Sequence, residues 1–185
     1  SLNLLHRADT PTTRKTRFVE SNYMRKLFEV YSFDDSPFDE TLESQINDLV
    51  LEKAKEFDVV IVTDFGHGLI GHSTTRTLVD TARFLAVNTQ TNSANAGYNL
   101  ITKYPSADYV CIDAPEARLA TRERTKDIDT VISELLPGTI ACSRLIVTHG
   151  TNGCVTFETG QGVTKIPAFT KTVVDTVGAG DAFLA

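Results

Sequence analysis

Val174-Asp175-Thr176-Val177-Gly178-Ala179-Gly180-Asp181-Ala182-Phe183 is the stretch that decides the fold. An apolar run enters a turn flanked by glycines, and residues 179–185 have the pattern of the first turns of a helix. Such a turn directs unpaired backbone N–H groups and the positive end of a helix dipole at one point, where an anion can approach. A carboxylate there repels an anion, unless it takes a proton from a hydroxyl that attacks phosphorus. Asp181 is therefore a candidate general base.

The glycines also have a purely structural interpretation. Gly178 and Gly180 could serve only a tight strand-to-helix turn, with Asp181 as a favourable acidic residue in the first helical turn. A bare Gly-x-Gly-Asp fragment is common and leaves both interpretations open. The longer string Asp-Thr-x-Gly-Ala-Gly-Asp is much more specific.

That string resembles the carboxyl-terminal signature of the ribokinase-like (PfkB) carbohydrate kinases. The resemblance implies that the backbone of Gly178, Ala179 and Gly180 forms the hole that holds the transferring phosphoryl group. It implies that Asp181 deprotonates the sugar hydroxyl. Asp175 would lie at the site where some members of the family bind a monovalent cation.

Composition places the chain among ordinary globular proteins. Its 185 residues suit one domain, with 41% hydrophobic and 23% charged residues. A net charge of -6 and a pI near 5.2 argue against a nucleic-acid partner, which would require a basic face. We find neither a membrane-length apolar run nor a signal-peptide core, no Cys-x-x-Cys pair and no zinc-ligand spacing of histidines. We therefore expect a cytoplasmic protein with reduced thiols, no membrane contact and no structural metal.

Strand and helix patterns alternate along most of the chain. Segments 16–20 and 26–31 have the pattern of a hairpin, the second as a half-buried strand. The continuous apolar run 59–62 predicts a parallel strand covered on both faces. Alternation of helices with such strands is typical of an α/β sheet. The further predicted elements are helices at 39–57, 73–84, 99–104, 113–122 and 127–136, and strands at 84–88, 108–112 and 144–147.

The loop Gly66-His67-Gly68-Leu69-Ile70-Gly71 matches a dinucleotide-binding pattern, which makes an NAD(P)-dependent oxidoreductase an alternative. The next strand, however, ends in Asn88-Thr89-Gln90 without the acidic residue that would hold a ribose. The same loop resembles the Ser-Asp-Tyr-x-Lys-Gly segment of heptose-phosphate kinases. That resemblance assigns Asp64 to substrate binding, with His67 in the place of the lysine.

Asp113-Ala114-Pro115-Glu116 has two compatible interpretations. Asp113 can cap a helix, Pro115 fits its first turn and Glu116 completes a capping box. The same spacing matches the Asn-x-x-Glu motif of the kinase family, which orders hydrated Mg²⁺ and the nucleotide phosphates. Two carboxylates at a strand end suit such a cation, and Asp113 in place of asparagine allows a more direct metal contact.

Thr148-His149-Gly150-Thr151-Asn152-Gly153 predicts a turn between two strands, because Asn-Gly is a strong hairpin signal. It also resembles the Thr-Leu-Gly-x-x-Gly turn of the family. By that resemblance Thr148, Gly150 and Gly153 lie along the nucleotide, and His149 departs from the usual leucine. Five basic residues near the start allow a solvated strand face or, alternatively, contact with an anionic sugar phosphate: Arg14, Lys15, Arg17, Arg25 and Lys26.

Together these motifs predict an α/β protein with a ribokinase-like three-layer α/β/α fold and a mostly parallel sheet that is incomplete at both ends. Residues 12–33 would form a small β lid and residues 39–185 the nucleotide-binding part. The resemblance is strongest to the kinase domain of heptose-phosphate kinase/nucleotidyltransferase proteins. It implies transfer of phosphate from ATP to a sugar or sugar phosphate such as a heptose phosphate, with Mg²⁺ and a monovalent cation.

The resemblance also implies a homodimer through the lid and fusion to a nucleotidyltransferase domain. The sugar-binding strands that begin the family fold, and the helices that follow its catalytic base, are missing from the 185 residues. We therefore expect this piece alone to transfer phosphate poorly or not at all. A non-catalytic nucleotide-binding module is a further alternative.

Overall fold

A two-stranded antiparallel ribbon begins the regular structure of this computed structural model, which describes residues 2–8, 10–21, 25–34, 36–92, 95–170 and 178–184. Strands β1 (Arg14–Glu20) and β2 (Arg25–Ser32) pair along their lengths, which confirms the two β segments predicted from sequence. The register shifts between Phe18 and Val19, so β2 carries one extra residue, a β-bulge at Leu27. Both faces of β2 are more open than expected: Leu27, Phe28 and Val30 are 61%, 54% and 51% exposed.

The remaining strands form one six-stranded sheet flanked by helices. Its strands are β3 (Val60–Asp64), β4 (Leu85–Thr89), β5 (Tyr109–Asp113), β6 (Arg144–Thr148), β7 (Cys154–Glu158) and β8 (Gly162–Ile166). The spatial order follows the chain order; β3 to β6 are parallel, and β7 and β8 add two antiparallel pairings. This confirms the prediction of a mostly parallel sheet with a separate small β segment.

Five α-helices complete the described structure: α1 (Glu40–Lys53), α2 (His72–Thr81), α3 (Ala114–Thr121), α4 (Ile128–Thr130) and α5 (Ala179–Leu184). Helix α4 continues into a π-helical turn, Val131–Leu135, and a 3₁₀ turn, Leu136–Gly138. Asp39 caps α1 by accepting a hydrogen bond from the Leu42 N–H at 2.8 Å. The helix predicted at 99–104 is only a 3₁₀ turn over Ile101–Lys103.

The core lies where the central strands meet the helices on their faces. Val87, Val110 and Val147, from β4, β5 and β6, are fully buried and pack with residues of α3 and of the segment after α4. The prediction that the apolar run 59–62 is covered on both faces is wrong, because Ile61 is 55% exposed. Among the described residues β3 is an edge strand that pairs only with β4, and its face with Val59 and Ile61 lacks the cover that the central strands have.

Candidate active site

The carboxyl ends of β4, β5 and β6 lie side by side at one edge of the sheet. Asp113 at the end of β5 pairs with Thr148 at the end of β6, and Gln90 directly follows β4. Ligands of open α/β sheets bind in the crevice outside these carboxyl ends. The topology therefore brings together residues that are far apart in sequence.

An inner cavity of about 340 Å³ opens at this edge. It contains six of the predicted site residues: Asp113, Glu116, Thr148, Gly178, Gly180 and Asp181. The other lining residues are Arg17, Lys26, Asn88, Gln90, Thr91, Cys111 and Ile112. The candidate base Asp181 thus shares one enclosure with the two acidic residues of the predicted metal motif.

Asp181 lies in the first turn of α5, where the Ala182 N–H donates to the Gly178 carbonyl at 2.9 Å. The first backbone N–H groups of a helix have no partner within it, so those of this turn can serve a ligand. One Asp181 oxygen, Oδ1, accepts a hydrogen bond from Gln90 Nε2 at 2.6 Å. Asp175, the predicted monovalent-cation residue, lies outside the described residues.

The predicted capping box is confirmed. Asp113 Oδ1 accepts from the Glu116 N–H at 2.7 Å, and Glu116 Oε2 accepts from the Asp113 N–H at 2.9 Å. Glu116 Oε1 also accepts from the Thr91 N–H at 2.9 Å, so this carboxylate joins β5 to the segment after β4. Burial raises the pKa of Glu116 and of Asp113 above their usual values.

Asn88 adds an unsatisfied acceptor to the same enclosure. Its side chain is 7% exposed, and its Nδ2 donates to the Cys111 carbonyl at 2.7 Å. In the described parts of the chain, no donor reaches its Oδ1. A buried acceptor of this kind costs free energy unless a ligand or water donates to it.

These groups fit a hydrated Mg²⁺ ion better than a bare one. Among the described residues, no cluster of three or more histidine, cysteine, aspartate or glutamate side chains could form a metal cage. Mg²⁺ usually keeps several waters and uses only one or two carboxylates together with substrate phosphates. Asp113 and Glu116 supply that number, and Asn88 Oδ1 could accept from a coordinated water.

Three cations of the ribbon surround one carboxylate, and two of them, Arg17 and Lys26, line the inner cavity. Lys15 and Arg17 approach Glu29 at 3.0 and 3.5 Å, and Lys26 also forms an ion pair with it. Hydrogen bonds from Lys26 and Lys15 lower the pKa of Glu29 to about 2. With Glu29 ionised, this cationic cluster, defined by Lys15, Arg17, Lys26 and Glu29, retains an excess of two positive charges.

The bulge in β2 places Lys26 in that cluster. Paired residues share a face of the ribbon, and Arg17 pairs with Glu29 while Val19 pairs with Lys26. In a strand without the bulge Leu27 would pair with Val19, and Lys26 would share a face with Phe28, because side chains alternate along a regular strand. Arg17 and Lys26 are exposed and also line the inner cavity, so contact with an anionic sugar phosphate stays a prediction for these two residues.

An outer cavity of about 740 Å³ adjoins the inner one, with which it shares Asp113, Thr148 and Gly180. Its volume is typical of a ligand pocket. The turn with Gly150 and Gly153 forms one wall, and Ala179 of α5 contributes to another. Its apolar lining comprises Ala114, Pro115, Cys154, Ile166, Pro167, Ala168, Phe169 and Phe183.

Asp64, the predicted substrate residue, lines neither cavity. It is 4% exposed and accepts from Tyr104 Oη at 2.8 Å and from the Gly66 N–H at 3.0 Å, beside an ion pair with Lys103. Burial raises the pKa of Tyr104 far above its usual value. These contacts give Asp64 a structural role, and its role in substrate binding stays a prediction.

The glycine-rich loop, residues 66–71, packs against Asn95 and Asn99. A side chain at Gly66 would overlap Asn95 and Asn99, which explains the glycine, whose φ is +71°. His67 points toward the ribbon side, with its ring 5.0 Å from that of Phe33. The histidine that replaces the family lysine therefore lines neither the inner nor the outer cavity.

Sequence reasoning missed Asn88 and Gln90 as site residues. Both residues entered the sequence argument only because the strand ends in them rather than in an acidic residue. Their position was the available signal, because they lie at the end of a parallel strand, β4, whose neighbours β3 and β5 end in Asp64 and Asp113.

A model of the pfkB family of carbohydrate kinases matches residues 3–185. The chain belongs to this family. One curated relative of this pfkB protein, the "Bifunctional protein HldE" of Nitrobacter hamburgensis, is 26% identical over 181 residues, which are 95% of the chain and 36% of the relative. The chain spans about a third of the length of the curated relatives that it matches. Its membership of the pfkB family agrees with the resemblance seen in the sequence.

Solved structures show the same fold. Ribokinase from Giardia lamblia has a TM-score of 0.65 at 14% identity and covers 95% of the pfkB chain and 55% of its own. Ribokinase from Arabidopsis thaliana, complexed with ribose and ATP, has a TM-score of 0.61 with the same identity and coverages. Membership of a kinase family implies ATP use and leaves the oxidoreductase alternative without support. In the described residues, no helix combines the length and hydrophobicity of a membrane span.

Gly153 provides a test of the turn beside the outer cavity. Its backbone (φ 84°, ψ -131°) suits glycine, and an added Cβ would lie 2.0 Å from the Ile166 carbonyl oxygen. We expect Gly153→Ala to lower the free energy of unfolding of the complete protein by about 2–5 kcal/mol, the sum of backbone strain and overpacking. ATP affinity should fall with it. Urea unfolding and calorimetric titration measure the two effects.

Gly160→Ala is the matched control. Gly160 also has a positive φ, +86°, but an added Cβ would meet no atom within 4 Å. It should cost only about 1–2 kcal/mol from backbone strain and leave ATP affinity unchanged. Equal effects of the two substitutions would show that the close approach at Gly153 does not matter.

Proposed function

We propose that the complete protein transfers the γ-phosphoryl group of ATP to a hydroxyl of a sugar phosphate. The observation that carries this proposal is the shared inner cavity of Asp181, Asp113, Glu116 and Thr148, which joins the larger apolar cavity. Family membership supports the reaction class. Because the chain spans about a third of its curated relatives, the activity is proposed for the complete protein.

In the proposed binding mode, the apolar outer cavity takes the base and ribose of ATP. Thr148, Gly150 and Gly153 lie along the nucleotide, and Asp113 and Thr148 stand where the two cavities meet. The phosphates then extend into the inner cavity. This arrangement places the last phosphate beside Asp181 and the turn 178–180.

The proposed reaction is an in-line displacement. Asp181 takes the proton of the acceptor hydroxyl as its oxygen forms a bond to the γ-phosphorus. The bond from that phosphorus to the β–γ bridging oxygen breaks, and ADP leaves with the electron pair. Backbone N–H groups of Gly178, Ala179 and Gly180 donate to the oxygens on which charge develops.

Asp113 and Glu116, with Asn88 beside them, would hold the hydrated Mg²⁺ through its waters. When bound, Mg²⁺ would neutralise charge on the phosphates. Burial raises the pKa values of both acids, and a cation bound beside them would stabilise their ionised forms. The monovalent-cation role of Asp175 stays a prediction.

An anionic acceptor is supported by the cationic cluster. Lys15, Arg17 and Lys26 outnumber their single partner Glu29, and two of them line the cavity that contains Asp181. A sugar with a phosphate would place that group against Arg17 and Lys26 and its hydroxyl near Asp181. The sequence resemblance to heptose-phosphate kinases makes a heptose phosphate our first candidate.

Two partners are part of the proposal. The word "bifunctional" in the relatives' name supports a second domain in the complete protein, and we propose that it is a nucleotidyltransferase. The second partner is another copy of the chain. The face of the ribbon opposite the cationic cluster carries Phe18, Phe28 and Val30, all about half exposed, and the two rings stack at 4.4 Å. An isolated two-stranded ribbon is marginally stable, so burial of this face in a dimer would support it.

Asp181→Asn tests the base. In the complete protein we expect kcat to fall about 10²-fold or more, because the amide cannot accept the proton, while ATP affinity stays the same. The measurement is ADP release with heptose, hexose and pentose phosphates, together with calorimetric ATP binding. The same assay on the 185 residues alone should give little or no turnover.

Asp80→Asn is its control, since Asp80 is exposed on α2, and this variant should keep full activity. Unchanged kcat in Asp181→Asn would remove the base from the mechanism. ATP binding by the complete protein without turnover of any acceptor would favour the non-catalytic module.

Arg17→Ala and Lys26→Ala test the anionic acceptor. Each should raise KM for the sugar phosphate about tenfold or more, because a hydrogen bond to a charged group contributes about 1.5–3 kcal/mol. KM for ATP should change little. Arg25→Ala is the control, since Arg25 pairs with Glu20 on the other face of the ribbon. Activity with an uncharged sugar that equals or exceeds the activity with its phosphate would contradict the proposal.

Phe28→Lys tests the dimer. Sedimentation of the complete protein should change from dimer to monomer, because a lysine charge cannot be buried in an apolar interface without a partner. Leu51→Lys on α1 is the control, since Leu51 is likewise an exposed apolar residue but lies away from the ribbon. A monomeric wild-type protein would rule out this interface.

A further inference from the structure

Gln90 makes a direct contact with the proposed base that nothing in the sequence motifs anticipates. Its Nε2 donates to Asp181 Oδ1 at 2.6 Å, although the two residues are 91 positions apart. Asp181 is exposed on a six-residue helix, so its carboxylate would otherwise have several accessible rotamers. A short hydrogen bond to one oxygen selects among those rotamers and leaves the other oxygen available.

The backbone of Gln90 is itself held firmly. Its N–H donates to the Asp64 carbonyl at 2.8 Å, and its carbonyl accepts from Asn99 Nδ2 at 3.3 Å. The same Asn99 nitrogen donates to the Asp64 carbonyl at 2.9 Å. Asp64 and Asn99 are both buried, so Gln90 projects from a rigid part of the structure.

Asp64 is fixed in turn by buried partners. Tyr104 Oη donates to its carboxylate at 2.8 Å, Lys103 pairs with it, and Lys103 Nζ also donates to Asn99 Oδ1 at 2.8 Å. The cluster of Asp64, Asn99, Lys103 and Tyr104 therefore anchors the segment that carries Gln90. Asp64, a buried acid outside both cavities, thus helps to hold Gln90 in place.

The neighbouring residue links the same segment to the other acid. The Thr91 N–H donates to Glu116 Oε1 at 2.9 Å. Gln90 and Thr91 thus contact, in succession, the residue proposed to take the proton and a residue proposed to hold the metal. A displacement of this segment would alter the relative placement of both acids.

We propose that Gln90 is a positioning residue that orients Asp181 for proton abstraction. The proposal rests on the role of Asp181 in the proposed function. The Gln90 amide holds Oδ1, and Oδ2 then receives the proton of the acceptor hydroxyl. Since a misplacement of about 1 Å can slow an enzyme about 10²-fold, loss of this contact should act on kcat.

Gln90→Leu removes the donor at similar size, and Gln90→Glu replaces the donor with a carboxylate that repels Asp181. In the complete protein we expect kcat for the best sugar phosphate to fall about tenfold or more in Gln90→Leu and further in Gln90→Glu. KM for ATP and for the sugar phosphate should stay within about twofold, because Gln90 acts on the base rather than on ground-state binding. Gln45→Leu, at an exposed position of α1, is the matched control and should retain wild-type kinetics.

A double variant separates positioning from a general loss of structure. If Gln90 acts through Asp181, then Gln90→Leu combined with Asp181→Asn should be no slower than Asp181→Asn alone. Multiplied losses would overturn the proposal. A rise in sugar phosphate KM with unchanged kcat would also overturn it, because it would assign Gln90 to substrate binding.

The outcomes also distinguish this proposal from the proposed function. If Asp181→Asn is slow and Gln90→Leu is as fast as the wild type, only the positioning role is wrong. If Asp181→Asn is itself fully active, the function of Asp181 is wrong as well. A crystal structure of the complete protein gives a readout that needs no substrate. Gln90 Nε2 within hydrogen-bond distance of Asp181 supports the proposal, and an amide turned away from it contradicts it.

Discussion

Parallel pairing of β4, β5 and β6 is the constraint on which the site depends. Three strands that run in the same direction must end at the same edge, and their register sets Asp113 beside Thr148. Helix α3 then begins at once, so its capping box turns Glu116 back toward the strand ends. The same Glu116 carboxylate accepts from Thr91, which ties the segment after β4 to the segment after β5. The Glu116 carboxylate that helps to cap α3 thus also holds two parts of the site together.

Charge is distributed unequally around the inner cavity. The acids Asp113 and Glu116 line one part of it, where desolvation raises their pKa values, and surplus cations of the ribbon line another. A ligand complements this arrangement if its negative phosphates face the cations of the ribbon and its hydrated cation faces Asp113 and Glu116. The two signs of charge therefore come from separate parts of the structure: the acids from the end of β5 and the start of α3, and the surplus cations from the ribbon.

Local patterns in the sequence were sufficient for most of the fold. Continuous apolar runs predicted the parallel strands, Asn152-Gly153 predicted the hairpin of β6 and β7, and the spacing of Asp113 and Glu116 predicted their reciprocal hydrogen bonds. Exposure of Ile61 could not be predicted in this way, because it depends on strand order rather than on residue type. The contact of Gln90 with Asp181 depends on two distant chain segments that meet at the sheet edge, and hydrophobic periodicity in the sequence does not predict such a contact. The bulge left only a faint trace, the adjacent apolar residues Leu27 and Phe28 that interrupt the alternation of β2.

The bulge makes the pairing register, rather than composition, the vulnerable property of the ribbon. If β2 paired without it, with Leu27 opposite Val19, every side chain before that point would change face relative to the rest. Lys26 would then move from the polar face to the aromatic face, although the amino-acid content of the strand would be the same. Natural variants of this segment should therefore tolerate exchanges that preserve the bulge more readily than changes that shift the pairing. The proposed substrate contacts of the cationic face and the proposed dimer contacts of the aromatic face would change together, because both depend on the register of β2.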